Sequence, residues 1–259
     1  MDLSQKEQIK QRLESISNGV DPDNVVAIPD DISPDELSNW MVSEAVRNDR
    51  LHESWAKLAA ALRKRLDGDR PCAVILVLMT ACQSLFENLR DSLEVDDLDE
   101  QQALAMKHQL ANLMAFIGNL FRHQAIRGNS IIHCSLNSLL GWDQEGSRWR
   151  GRPHDFEVNS ACALLLTVGR AYVGTTHGSS VYLTRLRNLE RAGLSQNTQG
   201  ELVALIQTWE QEWANSRVVA QLLADLPWSQ TFDSDAIPPM ETSWEEIFNL
   251  DDDPPIENA

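Results

Sequence analysis

The side chains of this 259-residue chain that could do chemistry are six histidines, four cysteines and an acidic run. The histidines are His52, His108, His123, His133, His154 and His177, and the acids are Asp96, Asp97, Asp99 and Glu100. Metal-dependent hydrolysis would need ligands at zinc-type spacing. Nucleophilic catalysis would need a Ser or Cys poised beside a base. Neither pattern is present: there is no HExxH pair, no G-x-S-x-G elbow and no Gly-rich phosphate loop before Lys-Ser or Lys-Thr. His123 and His133 could meet across a helix turn, yet a lone helical histidine is ordinarily a surface or satisfied core residue. Cys72, Cys82, Cys134 and Cys162 are widely scattered and read as reduced core thiols, which suits a reducing cytosol or nucleus. The acidic run reads as a solvated linker between helices. The expectation is a protein with no metal, no cofactor and no catalytic activity. A hydrolase or transferase built on an unrecognised constellation is the alternative, and it would require these groups to converge in a concavity.

A second set of residues is suited to binding. GWDQEGSRWRGRPHD, residues 141–155, carries Arg148, Arg150 and Arg152 beside Trp142 and Trp149. Arginine interleaved with tryptophan can grip a phosphate or an acidic peptide by charge and stacking, whereas a solvated loop is commonly charged without any such role. The chain as a whole carries a formal charge of −17, and the residues after Arg217 hold ten of its carboxylates and no Lys or Arg, which leaves −7 for the rest. High-affinity binding to a phosphate backbone is disfavoured, so RNA contact is expected to be weak or indirect.

These residues are positioned by elements that read almost entirely as helix. Apolar residues recur at three- and four-residue spacing, and no run alternates as a strand would. Ser4-Gln-Lys-Glu7 and Ser33-Pro-Asp-Glu36 have the capping-box spacing, with Pro34 suited to the first helical position. Leu37, Trp40 and Met41 begin one stripe, and Leu51, Trp55, Leu58, Leu62 and Leu66 form a second that can close a hairpin with it. Val74 to Leu89, Leu110 to Phe121, Ile131 to Leu140, Phe156 to Val168, Val181 to Leu189 and Leu202 to Trp209 follow. The apolar run Cys72 to Cys82 is too short to cross a bilayer, so a buried core helix is expected there and no membrane span. The polar, charged first residues do not resemble a signal peptide. The fold class expected is all-α, a solenoid of about five stacked antiparallel hairpins.

The expected scaffold occupies residues 1–225. From 226 to 259 the chain is Pro- and Asp-rich, with a linear motif expected at 243–253 in which Trp244, Ile247 and Phe248 would share one helical face. A terminal helix packed on its own domain is the other reading of that stretch. Gly118, in the middle of a strongly helical pattern, costs about 1 kcal/mol against alanine and calls for a compensating contact.

The order of several motifs resembles the middle domain of eukaryotic initiation factor 4G, the MIF4G-type helical scaffold. Cys82-Gln83 before Phe86-Glu87 is similar to one family segment, and Phe116-Ile117-Gly118-Asn119-Leu120-Phe121 to another. IIHCSLNSLL, then Leu165-Leu166-Thr167-Val168-Gly169 as a helix end, and Leu205 to Ser216 as a closing helix complete the likeness. Asn119 stands where family members commonly carry glutamate, and the loop 141–155 is longer than the family's. The resemblance marks Phe116, Gly118, Phe121, Thr167 and Gly169 as structural motif residues. The chain's length looks most like the small adaptor members, the poly(A)-binding-protein-interacting protein and the partner of the histone stem-loop-binding protein. It implies a cytoplasmic, partly nuclear, non-catalytic adaptor in translation initiation or mRNA metabolism, with a DEAD-box RNA helicase and translation or mRNA-binding proteins as partners. A helical interaction module outside translation is the alternative. Candidate partner-binding residues are Arg122, Arg127, Arg148, Trp149, Arg150 and Arg152, with the tail motif able to act in cis or, by forming a homodimer, in trans.

Overall fold

The computed structural model describes residues 3–22, 32–65, 73–94, 98–126, 129–143, 146–173 and 179–211. Nine α-helices occupy them: α1 Leu3–Ser17, α2 Pro34–Arg47, α3 His52–Arg65, α4 Ala73–Leu93, α5 Glu100–Arg122, α6 Ser130–Leu139, α7 Asp155–Val173, α8 Ser179–Glu190 and α9 Gln196–Glu210. The chain is all-α, and its helices stack as antiparallel hairpins. Among the described residues the one β-type pairing is an isolated bridge between Trp142 and Trp149.

The helix starts follow local chemistry. Ser33 caps α2, its hydroxyl accepting from the Glu36 N–H at 3.2 Å with Pro34 in the first turn. Ser195 caps α9 in the same way through Thr198. The expected Ser4 cap is not formed, because α1 already begins at Leu3 and places Ser4 inside the helix. Asn48 ends α2 and its side chain accepts from Arg50, turning the chain through a short 3₁₀ segment, Asp49–Leu51, directly into α3.

Helix α5 is the hub. It packs on α2, α3 and α4 from one side and most extensively on α7 from the other. Residues 110–120 are buried all round, as the interior helix of a stack must be. Helix α4 is longer than the apolar run at its start: its 21 residues would suffice by length and composition to span a membrane. Its stripe of Val74, Leu78, Met79, Cys82, Leu85 and Leu89 is instead buried in the core against α2 and α5. The later hairpins add α6 on α7 and α9 on both α7 and α8.

At the α5–α7 crossing, a Cβ on Gly118 would stand 2.8 Å from Thr167 Cβ, 2.9 Å from its Cγ2 and 3.3 Å from the Leu164 carbonyl oxygen. The missing side chain is what lets the two helices approach. The Thr167 hydroxyl is turned back on its own helix, donating to Ala163 O at 2.8 Å, which leaves its methyl toward Gly118. The regular helix breaks at Gly169, where the sequence pattern suggests a helix end. Gly169 adopts φ 49° and ψ −140°, a conformation open to glycine, and the helix kinks and resumes to Val173. Beyond the kink Tyr172 meets Phe121 edge-on at 6.3 Å, so both family-like segments pack at the same crossing.

One buried ion pair ties three helices. Arg90 on α4 donates to the buried Glu157 carboxylate at 3.0 Å and to the Ser138 hydroxyl of α6 at 2.6 Å. Glu157 also accepts from the His154 N–H at 2.8 Å, capping the start of α7.

Candidate functional site

Between α6 and α7 the chain forms a closed hook. The Arg150 N–H donates to Gly141 O at 2.8 Å and the Asp143 N–H to Arg148 O at 2.9 Å, so residues 141–143 and 146–150 pair back on one another. Gly141 has φ +78°, and a Cβ there would lie 2.1 Å from Gly151 O, so the neck of the hook admits only glycine. Asp143 accepts from the Ser147 N–H at 2.7 Å and from its hydroxyl at 2.8 Å. The Arg148 N–H and these donors hold its carboxyl below the usual range.

Arg185 of α8 fastens the hook to the stack. Its guanidinium lies 4.0 Å from the Trp142 ring centroid and 5.3 Å from that of Tyr182. It donates to Asn137 Oδ1 at 2.6 Å and to Gly146 O at 2.8 Å. Tyr182 joins the same knot, its hydroxyl donating to Asn137 Oδ1 at 2.8 Å with His133 Nδ1 2.6 Å away. His133 is thus taken up with Tyr182, while His123 faces Glu53 at 3.7 Å, so the two histidines serve separate contacts.

On this frame Trp149 stands 46% exposed, its ring edge-on to Trp142 at 5.6 Å. Arg148 and Arg150 flank it, both exposed, and their guanidinium groups make no hydrogen bond or ion pair among the described residues. Arg152 differs: it donates to Gly193 O at 2.7 Å and anchors the base of the hook to the α8–α9 turn. Arg122 lies elsewhere, at the end of α5, on the rim of a pocket of about 240 Å³ that Glu53, Asn112 and Asn119 also line. Arg127, Trp244, Ile247 and Phe248 lie outside the described residues.

A groove of about 820 Å³ opens beside the base of the hook, lined by Leu104, Lys107, His108, Arg152, Phe156 and Glu201 among others. It gathers titratable groups, and the bonds that Asp155, Ser195 and Thr198 make there are those of helix capping. Asp155 accepts from the Ser195 N–H at 3.0 Å and the Thr198 hydroxyl at 3.3 Å, and the Ser195 hydroxyl donates to Thr198 rather than to a histidine. Burial pushes the Glu201 carboxyl up to about 7. No activated nucleophile is assembled in the groove. Among the described residues no group of three or more His, Cys, Asp or Glu could hold a metal ion. The thiols of Cys82 and Cys162 are buried and pushed well up by desolvation, and that of Cys134 is also raised, which makes all three poor nucleophiles.

Sequence reading found the exposed residues of the hook and missed what holds them. Tyr182 and Arg185 are three apart on α8 and so share a face, but nothing in that spacing names a loop some 40 residues earlier as their partner. Glu201 was missed because one glutamate in a polar stretch carries no sign of burial.

No family model matches the sequence, and no curated protein does. Among solved structures the chain is similar to the MIF4G domain of Trypanosoma cruzi translation initiation factor EIF4G5, with a TM-score of 0.46 and 19% identity over 80% of this chain and 90% of that one.

Proposed function

We propose that this chain is a non-catalytic adaptor of translation initiation or mRNA metabolism that docks a DEAD-box RNA helicase and mRNA-bound proteins. The observation that carries an interaction role is the hook. It holds an exposed tryptophan between two arginines that have no partner among the described residues, on a frame fixed by Arg185. Such a patch offers stacking area and two charge-assisted donors at little ordering cost. Translation is supported by the ordered sequence resemblance to the initiation-factor middle domain, whose small adaptor members the chain looks most like.

The mechanism is positioning. A scaffold that binds one arrangement of a two-lobed helicase more tightly than another shifts the helicase toward it, with no chemical group of its own. RNA contact is weak or indirect given the charge of −17, and the setting is the cytoplasm, with the nucleus a second location.

Affinity capture of the tagged chain from lysate, with RNase present, tests this reading. Recovery of a DEAD-box helicase together with translation factors or mRNA-binding proteins is the expected result. Recovery of neither would sink it, and a consistent set of unrelated partners would favour a helical interaction module outside translation.

A further inference from the structure

We propose that the acidic segment 241–253 of this same chain docks on the hook, with its aromatic residues against Trp149 and its carboxylates on Arg148 and Arg150. Charge is the first argument. Residues 146–191 hold seven arginines and three carboxylates, a net +4 inside a chain of −17. This is a basic island, and on the hook Arg148 and Arg150 make no hydrogen bond or ion pair among the described residues. The segment 241–253 presents the complementary chemistry: Trp244, Ile247 and Phe248 set among six carboxylates, with no Lys or Arg anywhere after Arg217.

Where the described chain ends is the second argument. Arg187 of α8 pairs with Glu210 at the close of α9, so the chain leaves the stack beside the helix whose Arg185 grips the hook. Trp244 lies thirty-three positions beyond Gln211. Even wholly helical they would span about 50 Å, whereas neighbouring helices stand only about 10 Å apart. Length therefore places no obstacle to reaching the hook. Tethering supplies an effective concentration on the order of 1 mM, so an affinity of roughly 100 μM leaves the hook about nine-tenths occupied.

Aromatic stacking on Trp149 and paired charges on the two arginines are each modest contacts, and tethering makes them sufficient. A partner that uses the hook must then displace the chain's own segment, so docking is self-limiting. The inference stands on the hook and the charge pattern, and it holds whether or not the partner belongs to translation.

Glu-specific proteolysis of the full-length chain tests it, following cleavage after Glu241, Glu245 and Glu246 by mass spectrometry. In low salt the wild type is expected to be cut at these sites roughly tenfold more slowly than Arg148→Glu/Arg150→Glu, in line with the occupancy above. The difference should vanish near 0.5 M sodium chloride, where the screening length falls to about 4 Å. Changing Asp251, Asp252 and Asp253 to Arg in the hook-reversed chain should restore protection, which a purely structural effect of the hook change would not do. Equal cleavage of wild type and reversed chain overturns the proposal. Protection that grows with protein concentration, together with a doubled mass in solution, overturns docking in cis.

Discussion

Two parts of the molecule join helices by opposite means. At the α5–α7 crossing, contact depends on an absence: Gly118 has no side chain, and Thr167 fills the space a Cβ would need. At the hook, contact depends on one long side chain: Arg185 of α8 lies over the Trp142 ring and donates one hydrogen bond to Gly146 O and another to Asn137 of α6. The first joint is tightly packed and leaves no room for a Cβ. The second is polar, built at the surface, and leaves Trp149 and its neighbouring arginines facing water. The difference teaches where each joint should fail: the crossing by overpacking, and the hook by loss of a donor.

The largest effect is expected at the crossing. Gly118→Leu should destabilise by about 3 kcal/mol, because Thr167 is β-branched and its Cβ cannot swing aside. Gly118→Ala sharpens the point, since helix propensity alone favours it by about 1 kcal/mol. The close approach predicts a lower Tm for it nonetheless, and a raised Tm would refute the packing account. Denaturant titration of both variants reads the sign.

Second in size is the hook's clasp. Arg185→Met should cost about 2 kcal/mol through loss of the charged hydrogen bonds and the cation–π contact. Amide exchange at residues 142–150 should speed up while the α5–α7 crossing keeps its protection. Uniform loosening of both regions would show that they are not separate joints.

Third comes the groove at the base of the hook. The Glu201 carboxyl titrates near 7 in the folded chain, above its unfolded value, so folding retains a proton that the unfolded chain releases. That contribution to stability is fully present below about pH 4.5, falls as pH rises to about 7 and is flat above. Glu201→Gln should therefore gain on the order of 1 to 2 kcal/mol at pH 8 and almost nothing at pH 4. His52, buried and held at about 4, has the opposite slope over nearly the same range, because its unfolded form takes up a proton first as pH falls. Stability curves of the wild type thus partly conceal both, and the Glu201→Gln curve should rise with pH between about 4 and 6.5.

The smallest effect belongs to the exposed arginines. Arg148→Ala/Arg150→Ala should leave stability within about 0.5 kcal/mol, while weakening capture of acidic partners. A large loss of stability would mean that they serve the frame and not the surface.

What was legible in the sequence divides along the same line. Gly118 in an otherwise helical stripe called for a compensating contact, and the capping residues at Ser33 and the apolar periodicities placed most helices. These signals are local, read within one or two turns of chain. The break at Gly169 was legible too, but the helical stretch that resumes to Val173 was not, because a glycine after Leu-Leu-Thr-Val looks the same whether a helix stops or kinks. The clasp of Arg185 and the tie from Arg90 to Glu157 join residues 39 and 67 positions apart, and a single sequence holds no period or cap that records them. Glu201 acquired its raised pKa only when other helices removed its water.

The hook's tryptophans also make the molecule optically addressable. Of the described tryptophans, Trp40, Trp55 and Trp209 are buried and Trp142 is half-covered beneath Arg185, while Trp149 stands in water. Among these five its emission should therefore be the reddest, and the first that iodide quenches whenever the acidic segment is off the hook, with the positive charge of Arg148 and Arg150 drawing the anion toward it. Any occupant of the hook, the chain's own acidic segment included, then announces itself as a blue shift and a loss of quenching, without a label.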